Sequence, residues 1–267
     1  MGGRGANSSS RGSAGGGGGG IAFATAGGSG AAPQPQQSVA NQAPSPANTP
    51  VTPNAATALS QMSDDQLTNL YKQSRNVDMP NHLNDVADKT QRFVYTAGVN
   101  GKPQVLDQAS FDQYLKDNNI RKSQIMARTT GGARYTVNGT TINLSDNQVC
   151  DLIKYGDLNY VGGKHGGQLY GAGTYFDMNG GRPTGYNGRQ TMIAVLSPSA
   201  RTIDKYQLQT QTKQWAKSHP KFASAVGSFS NSNASIYALA QGYNVITGGS
   251  YHNVIDRTAI VMRSNNY

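Results

Sequence analysis

The chain has 267 residues, a formal net charge of +9 and one cysteine, Cys150. A single thiol excludes an intrachain disulfide and a multi-cysteine zinc site, and His82, His165, His219 and His252 lack the close spacing of metal ligands. The basic excess is scattered and densest at Arg121, Lys122, Arg128 and Arg134, which suits a polyanion groove or an ordinary solvated face; no nucleic-acid-binding motif accompanies it.

Residues 1–60 are dominated by Gly, Ser, Ala, Pro, Gln and Asn, with only Arg4 and Arg11 charged. Such a segment buries too little apolar surface to offset the entropy of ordering its backbone, so a disordered tail is expected there. Gly15–Gly20 reads as flexible linker and Ala32–Gln37 as semi-extended linker. The apolar patch Ile21–Ala26 is too short to span a bilayer, although it could dock on a partner. No basic segment followed by an apolar one opens the chain, so no secretory signal is read, and no membrane partner is expected. One folded domain is expected over 61–267.

Ser63 followed by Gln66 is a capping box, and Leu67, Leu70 and Tyr71 then recur at helical spacing. Arg92–Ala97 alternates and predicts a strand, with a turn over Gly98–Pro103. Asp107–Asn119 reads as a helix around Phe111, Tyr114 and Leu115, and Gln124–Thr130 as a core strand. Ala133–Ser145 resembles a hairpin turning at Asn138-Gly139. Ser145 and Gln148 repeat the capping box for a helix that stops at Gly156. Thr191–Ser197 predicts an apolar strand, Ile203–Ser218 and Asn233–Gly242 helices, and Tyr243–Gly248 and Val254–Arg263 closing strands. Helices and strands alternate without a regular βαβ rhythm, so the fold class is α+β with a mixed or split antiparallel sheet and flanking helices.

The stretch YGAGTYFDMNGGRPTGY (Tyr170–Tyr186) carries no phosphate-loop signature. Glycines there let the backbone approach a flat ligand and tyrosines between them can form stacking walls. The same pattern also suits a glycine-rich turn with tyrosines packed for stability.

Four pieces resemble the ADP-ribosyltransferase superfamily, especially compact phage-encoded domains. QIMARTTGG (Gln124–Gly132) looks like the first NAD-binding strand, and YGAGTYF (Tyr170–Phe176) is similar to the GxGxYF strand of the poly-ADP-ribose-polymerase branch. GRPTGY (Gly181–Tyr186) ends in a tyrosine placed like that branch's second stacking residue. The late pieces MIAVLSPSARTID and GYNVITGGSYHNVIDRTAIVM look like the later strands of phage members. The opening MGGRGANSSS also resembles phage head-associated proteins. The likeness covers roughly residues 92–263 and implies an ADP-ribosyltransferase-like split sheet.

The resemblance implies NAD as substrate and no metal. Tyr175 and Tyr186 would be the faces of a nicotinamide slot, with Gly173 beside it. Arg128 would contact ribose or phosphate, and the backbone near Thr129 and Thr130 would hold the nicotinamide amide. It implies transfer of ADP-ribose to a host protein, phage head components as partners of the tail, and a place in the virion or the host cytoplasm. Active members stabilise the ribose cation with a late-strand glutamate, and here Asn253 or His252 falls at that place, with Asp256 the nearest acid. Asp177 and Gln168 are weaker candidates for polar roles. The departure implies slow turnover, replacement by His252, or a catalytically inactive scaffold of the same fold. It also predicts that Asn253→Glu raises turnover by about tenfold or more, on the order of 1.4 kcal/mol.

Overall fold

The computed structural model describes residues 55–79, 89–99, 101–131, 133–137, 140–156, 170–178, 180 and 190–266. The expectation of a disordered tail therefore lies outside the described residues up to position 54. Its last six residues are corrected. Ala55–Ser60 form helix α1, whose Ala56 and Leu59, three apart on one face, are 0% and 1% exposed in the main core. The folded domain thus starts ahead of residue 61. Composition hid this because two apolar side chains in a polar run are enough when a tertiary surface receives them.

Helix α2 (Asp64–Ser74) starts at the capping box of Ser63 and Gln66, and α3 (Lys89–Thr96) replaces the strand predicted over 92–97. Phe93 and Val94 are buried there, and Ala97 just beyond packs on the same core. Four-residue spacing puts Phe93 and Ala97 on one helical face, so the short apolar run fitted both periods and packing decided. Strand β1 (Gln104–Leu106) and helix α4 (Gln108–Asp117) follow, the latter capped by Asp107. Strands β2 (Met126–Thr130), β3 (Ala133–Val137) and β4 (Thr140–Leu144) come next, β3 and β4 pairing as the expected hairpin. Helix α5 (Asp146–Tyr155) begins at the second capping box.

Beyond it lie β5 (Thr174–Asp177), β6 (Gln190–Leu196), β7 (Thr202–Asp204) and α6 (Lys205–Ser218). The predicted helix over 203–218 gives its first two residues to β7, because Asp204 caps α6 by accepting the Tyr206 and Gln207 amides. Helix α7 (Pro220–Val226), with Pro220 in its first turn, was not read from the sequence. Helix α8 (Ala234–Ala240) and strands β8 (Val245–Gly248), β9 (Tyr251–Val254) and β10 (Ile260–Arg263) complete the domain. The single closing strand expected over 254–263 is broken by a 3-10 turn at Arg257–Ala259, where Asp256 accepts the Thr258 amide.

The main sheet has the order β1-β10-β6-β2-β5-β9-β8-β7 and is mixed: β1/β10 and β7/β8 are parallel, the other pairs antiparallel. Its two four-stranded halves meet at a seam where Ala127 on β2 registers with Asp177 on β5. One face carries Met126, Phe176, Met192 and Val254 beneath Val149, Cys150 and Ile153 of α5. The other face is divided. Ala127, Ile193, Val195 and Val261 pack beneath Phe111 of α4, while Ile203 and Ile246 join the core of the remaining helices. Arg257, wholly buried, donates to the carbonyls of Leu152, Ile153 and Gly156. It thereby satisfies the C-terminal carbonyls of α5 and ties that helix to the β9–β10 connection.

Candidate functional site

The glycine-rich turn Tyr170–Gly173 leads into β5, and β5 pairs with β9 so that Tyr175 lies opposite Asn253 and Phe176 opposite His252. Side chains alternate along a strand, so these two pairs occupy opposite faces of the sheet. Tyr175 packs against the helical core, whereas Phe176 lies under α5. Of the two residues considered for the place of the missing acid, Asn253 therefore shares the face of Tyr175 and His252 does not.

The Tyr175 hydroxyl and the Asn253 side-chain amide are both engaged in shaping the turn. The Tyr175 hydroxyl donates to the Gly171 carbonyl at 2.7 Å and accepts the Tyr170 amide at 2.8 Å. The Asn253 side-chain amide donates to the carbonyls of Tyr170 at 3.2 Å and Ala172 at 3.3 Å. Gly171 (φ +80°) and Gly173 (φ +152°) hold conformations unfavourable to L-residues. A Cβ on Gly171 would stand 2.1 Å from Ser235 Oγ, and one on Gly173 would stand 1.9 Å from Asn253 Oδ1. Both glycines are thus required by conformation and by space. Asn253 is 0% exposed, and its Oδ1 has no hydrogen-bond partner among the described residues.

Arg128 reaches this group through the backbone. Its Nη1 donates to the Tyr175 carbonyl at 3.0 Å. Its strand position registers with Met192 under α5, and its charge acts on the Cys150 thiol of that helix, so the guanidinium lies on the α5 side. Thr129 points the other way, its hydroxyl 3.1 Å from that of Thr191, and Thr130 bonds the Gly131 carbonyl. The structure therefore brings Tyr175, Asn253 and Gly173 together directly. It sets Arg128 and His252 on the opposite face. Tyr186 and Gln168 lie outside the described residues.

His252 is half-buried with an unpartnered Nδ1 among the described residues, and burial pushes its pKa below the ordinary imidazole value, opposed by a hydrogen bond with the Tyr251 backbone. Burial pushes the Cys150 thiol up to about 11, so it is an inert core side chain. Asp256 is occupied as the cap of its 3-10 turn. The described residues contain no group of His, Cys, Asp or Glu arranged to hold a metal ion and no helix long and apolar enough to cross a membrane.

Sequence reading missed the internal role of Asn253. Its amide, not an acid, is what the turn requires, because the two facing groups are carbonyls that can only accept. The available signal was the pairing of two positive-φ glycines with a buried Asn on a later strand, which needs the register to be seen. The chain as a whole contains no glutamate; all 14 acidic residues are aspartates. Compared with known proteins, it matches no family model, no curated protein and no solved structure.

Proposed function

We propose that this chain is an ADP-ribosyltransferase-type domain that binds NAD and releases nicotinamide slowly, with a host protein as acceptor. The observation that carries the reading is the register of Tyr175 with Asn253 beside Gly173. The tyrosine ring is fixed by two hydrogen bonds through its hydroxyl, so a stacking wall is set before any ligand arrives. Next to it lies a buried acceptor with no hydrogen-bond partner among the described residues, Asn253 Oδ1, of the kind a ribose hydroxyl satisfies. Arg128 serves by holding the strand that carries Tyr175. A neutral amide in place of a carboxylate loses charge stabilisation worth roughly two to three decades of rate, which is why turnover is slow. The test is calorimetric titration of the full chain with NAD alongside measurement of nicotinamide release. Binding with slow release supports the reading; no binding rejects it.

A second reading has one observation of its own. The Tyr175 hydroxyl and the Asn253 amide are already engaged in holding the turn. That favours a scaffold of the same fold, associated with a phage head, in which the site has become structural. It predicts no NAD binding at all.

A further inference from the structure

We infer that the outward face of α6 is a docking surface for single-stranded nucleic acid. This holds whether or not the chain binds NAD. Between Asp204 and Asp256 the sequence has no acidic residue, while Lys205, Lys213, Lys217 and Lys221 all fall there. Other helices mix their charges: α2 carries Asp64, Asp65 and Lys72, α4 carries Asp112, Lys116 and Asp117, and α5 carries Asp146, Asp151 and Lys154.

Helical geometry gathers the positive charge. Leu208 and Thr212, 0% and 2% exposed, mark the buried side of α6. At 3.6 residues per turn, Tyr206, Thr210, Lys213 and Lys217 form one stripe on the opposite side, and all four are exposed. The stripe runs about 16 Å, the length of roughly five nucleotides at about 3.4 Å each. Gln207, Gln209 and Gln214 border it and are exposed as well. Their amides can donate to phosphate and sugar oxygens, where lysine supplies the charge.

No neighbouring element neutralises the stripe. Helix α6 packs mainly on β7, α7, α8 and β8, and the one acid among these is Asp204. Asp204 sits at the start of α6 and accepts the Tyr206 and Gln207 amides there. On α7, Lys221 is paired with Asp65 at 2.7 Å, whereas Lys213 and Lys217 have no ion-pair partner among the described residues.

The aromatic ring at the head of the stripe selects the kind of polyanion. Tyr206 is 66% exposed, and the Lys205 ammonium lies 4.6 Å from its ring centroid. An open ring beside a cation lets a base stack while its phosphate is held, and any base can do so. An acidic peptide would meet the lysines but brings no base to the ring. A bilayer surface needs an apolar helix face, which this stripe lacks.

The experiment follows the fluorescence anisotropy of a labelled, mixed-sequence single-stranded oligodeoxynucleotide of about 16 nucleotides as the full-length chain is added. With phosphate contacts from Lys205, Lys213 and Lys217, the logarithm of the binding constant should fall against the logarithm of salt with a slope of about −2, a loss of about twentyfold between about 50 and about 200 mM. The double variant Lys213→Gln/Lys217→Gln should bind more weakly, with a slope of about −0.7. Tyr206→Ala should bind at least about fivefold more weakly with the slope unchanged, because the ring carries no charge. All three side chains are exposed, so the thermal midpoints of the variants should match the wild type. No binding by the wild type at about 50 mM salt overturns the inference. So does a double variant that keeps the wild-type affinity and slope, which would place the contacts elsewhere on the chain. Wild-type binding by Tyr206→Ala overturns it too, as does equal competition by poly-aspartate or by phosphatidylserine vesicles, since either result leaves only a generic cationic face.

Discussion

Placing an acid at position 253 looks, from the sequence, like a repair; the structure makes it a lesion. In Asn253→Asp the shape is kept and both donors are lost. The Tyr170 and Ala172 carbonyls, held at 3.2 and 3.3 Å by the Asn253 amide, would face a carboxylate instead. Removing the donor from a buried acceptor costs roughly 1–3 kcal/mol. The carboxylate is also buried among acceptors, which raises its folded-state pKa; a rise of about two units adds about 2.7 kcal/mol. The expected total at about pH 7 is roughly 4–6 kcal/mol, which moves the urea midpoint down by about 2–3 M for a slope of about 2 kcal/mol per M. The sign with pH follows from linkage. A carboxyl whose folded pKa lies above its unfolded value of about 3.9 favours folding when protonated, so the penalty is smallest below about pH 4 and grows as pH rises through the folded pKa. Paired urea titrations of wild type and variant at the two pH values measure it. A variant as stable as wild type at neutral pH, or one whose deficit shrinks as pH rises, refutes the clamp. Asn253→Glu adds a methylene in a space already 1.9 Å from a hypothetical Cβ on Gly173, so it is expected to destabilise further and not to raise turnover tenfold.

Three other outcomes follow from the same geometry. A chain beginning at residue 61 should have a clearly lower thermal midpoint than one beginning at Pro50, since it loses the buried Ala56 and Leu59, and truncating a buried Leu alone costs roughly 2–5 kcal/mol; equal midpoints would show that α1 contributes nothing. The Cys150 thiol, buried and pushed up to about 11, should react with a disulfide reagent only as fast as the chain unfolds, and rapid labelling of the native chain would contradict its placement under α5. The depressed pKa of His252 favours the neutral ring in the folded state, so its contribution to stability is complete above the unfolded imidazole value of about 6.5 and is lost as pH falls toward the folded pKa. His252→Gln should flatten that acid-side loss in a pH series of thermal midpoints, and an unchanged slope would remove His252 as its source.

The two capping boxes were legible because their logic is local: Ser63 with Gln66 and Ser145 with Gln148 satisfy orphan amides within one turn, whatever packs outside. The hairpin of β3 and β4 and the strands β2 and β6 were legible for a similar reason, since turn residues and apolar runs mark them without reference to distant chain. Where two periods fitted one run, as at Phe93 and Val94, only the core that received them chose helix over strand. The closing strand broke in two because Arg257 turns inward to the carbonyls at the end of α5, a partner about a hundred positions away that no local pattern announces. The same limit applies at the site. The sequence determined which residue types exist there, including tyrosines between glycines, an Asn where an acid was expected and no glutamate anywhere. It could not say that Asn253 shares a face with Tyr175 and Asp177 while His252 and Arg128 turn the other way. A one-residue shift in pairing sends every side chain of a strand to the opposite face, so that choice belongs to the register between β5 and β9, which only the assembled sheet fixes.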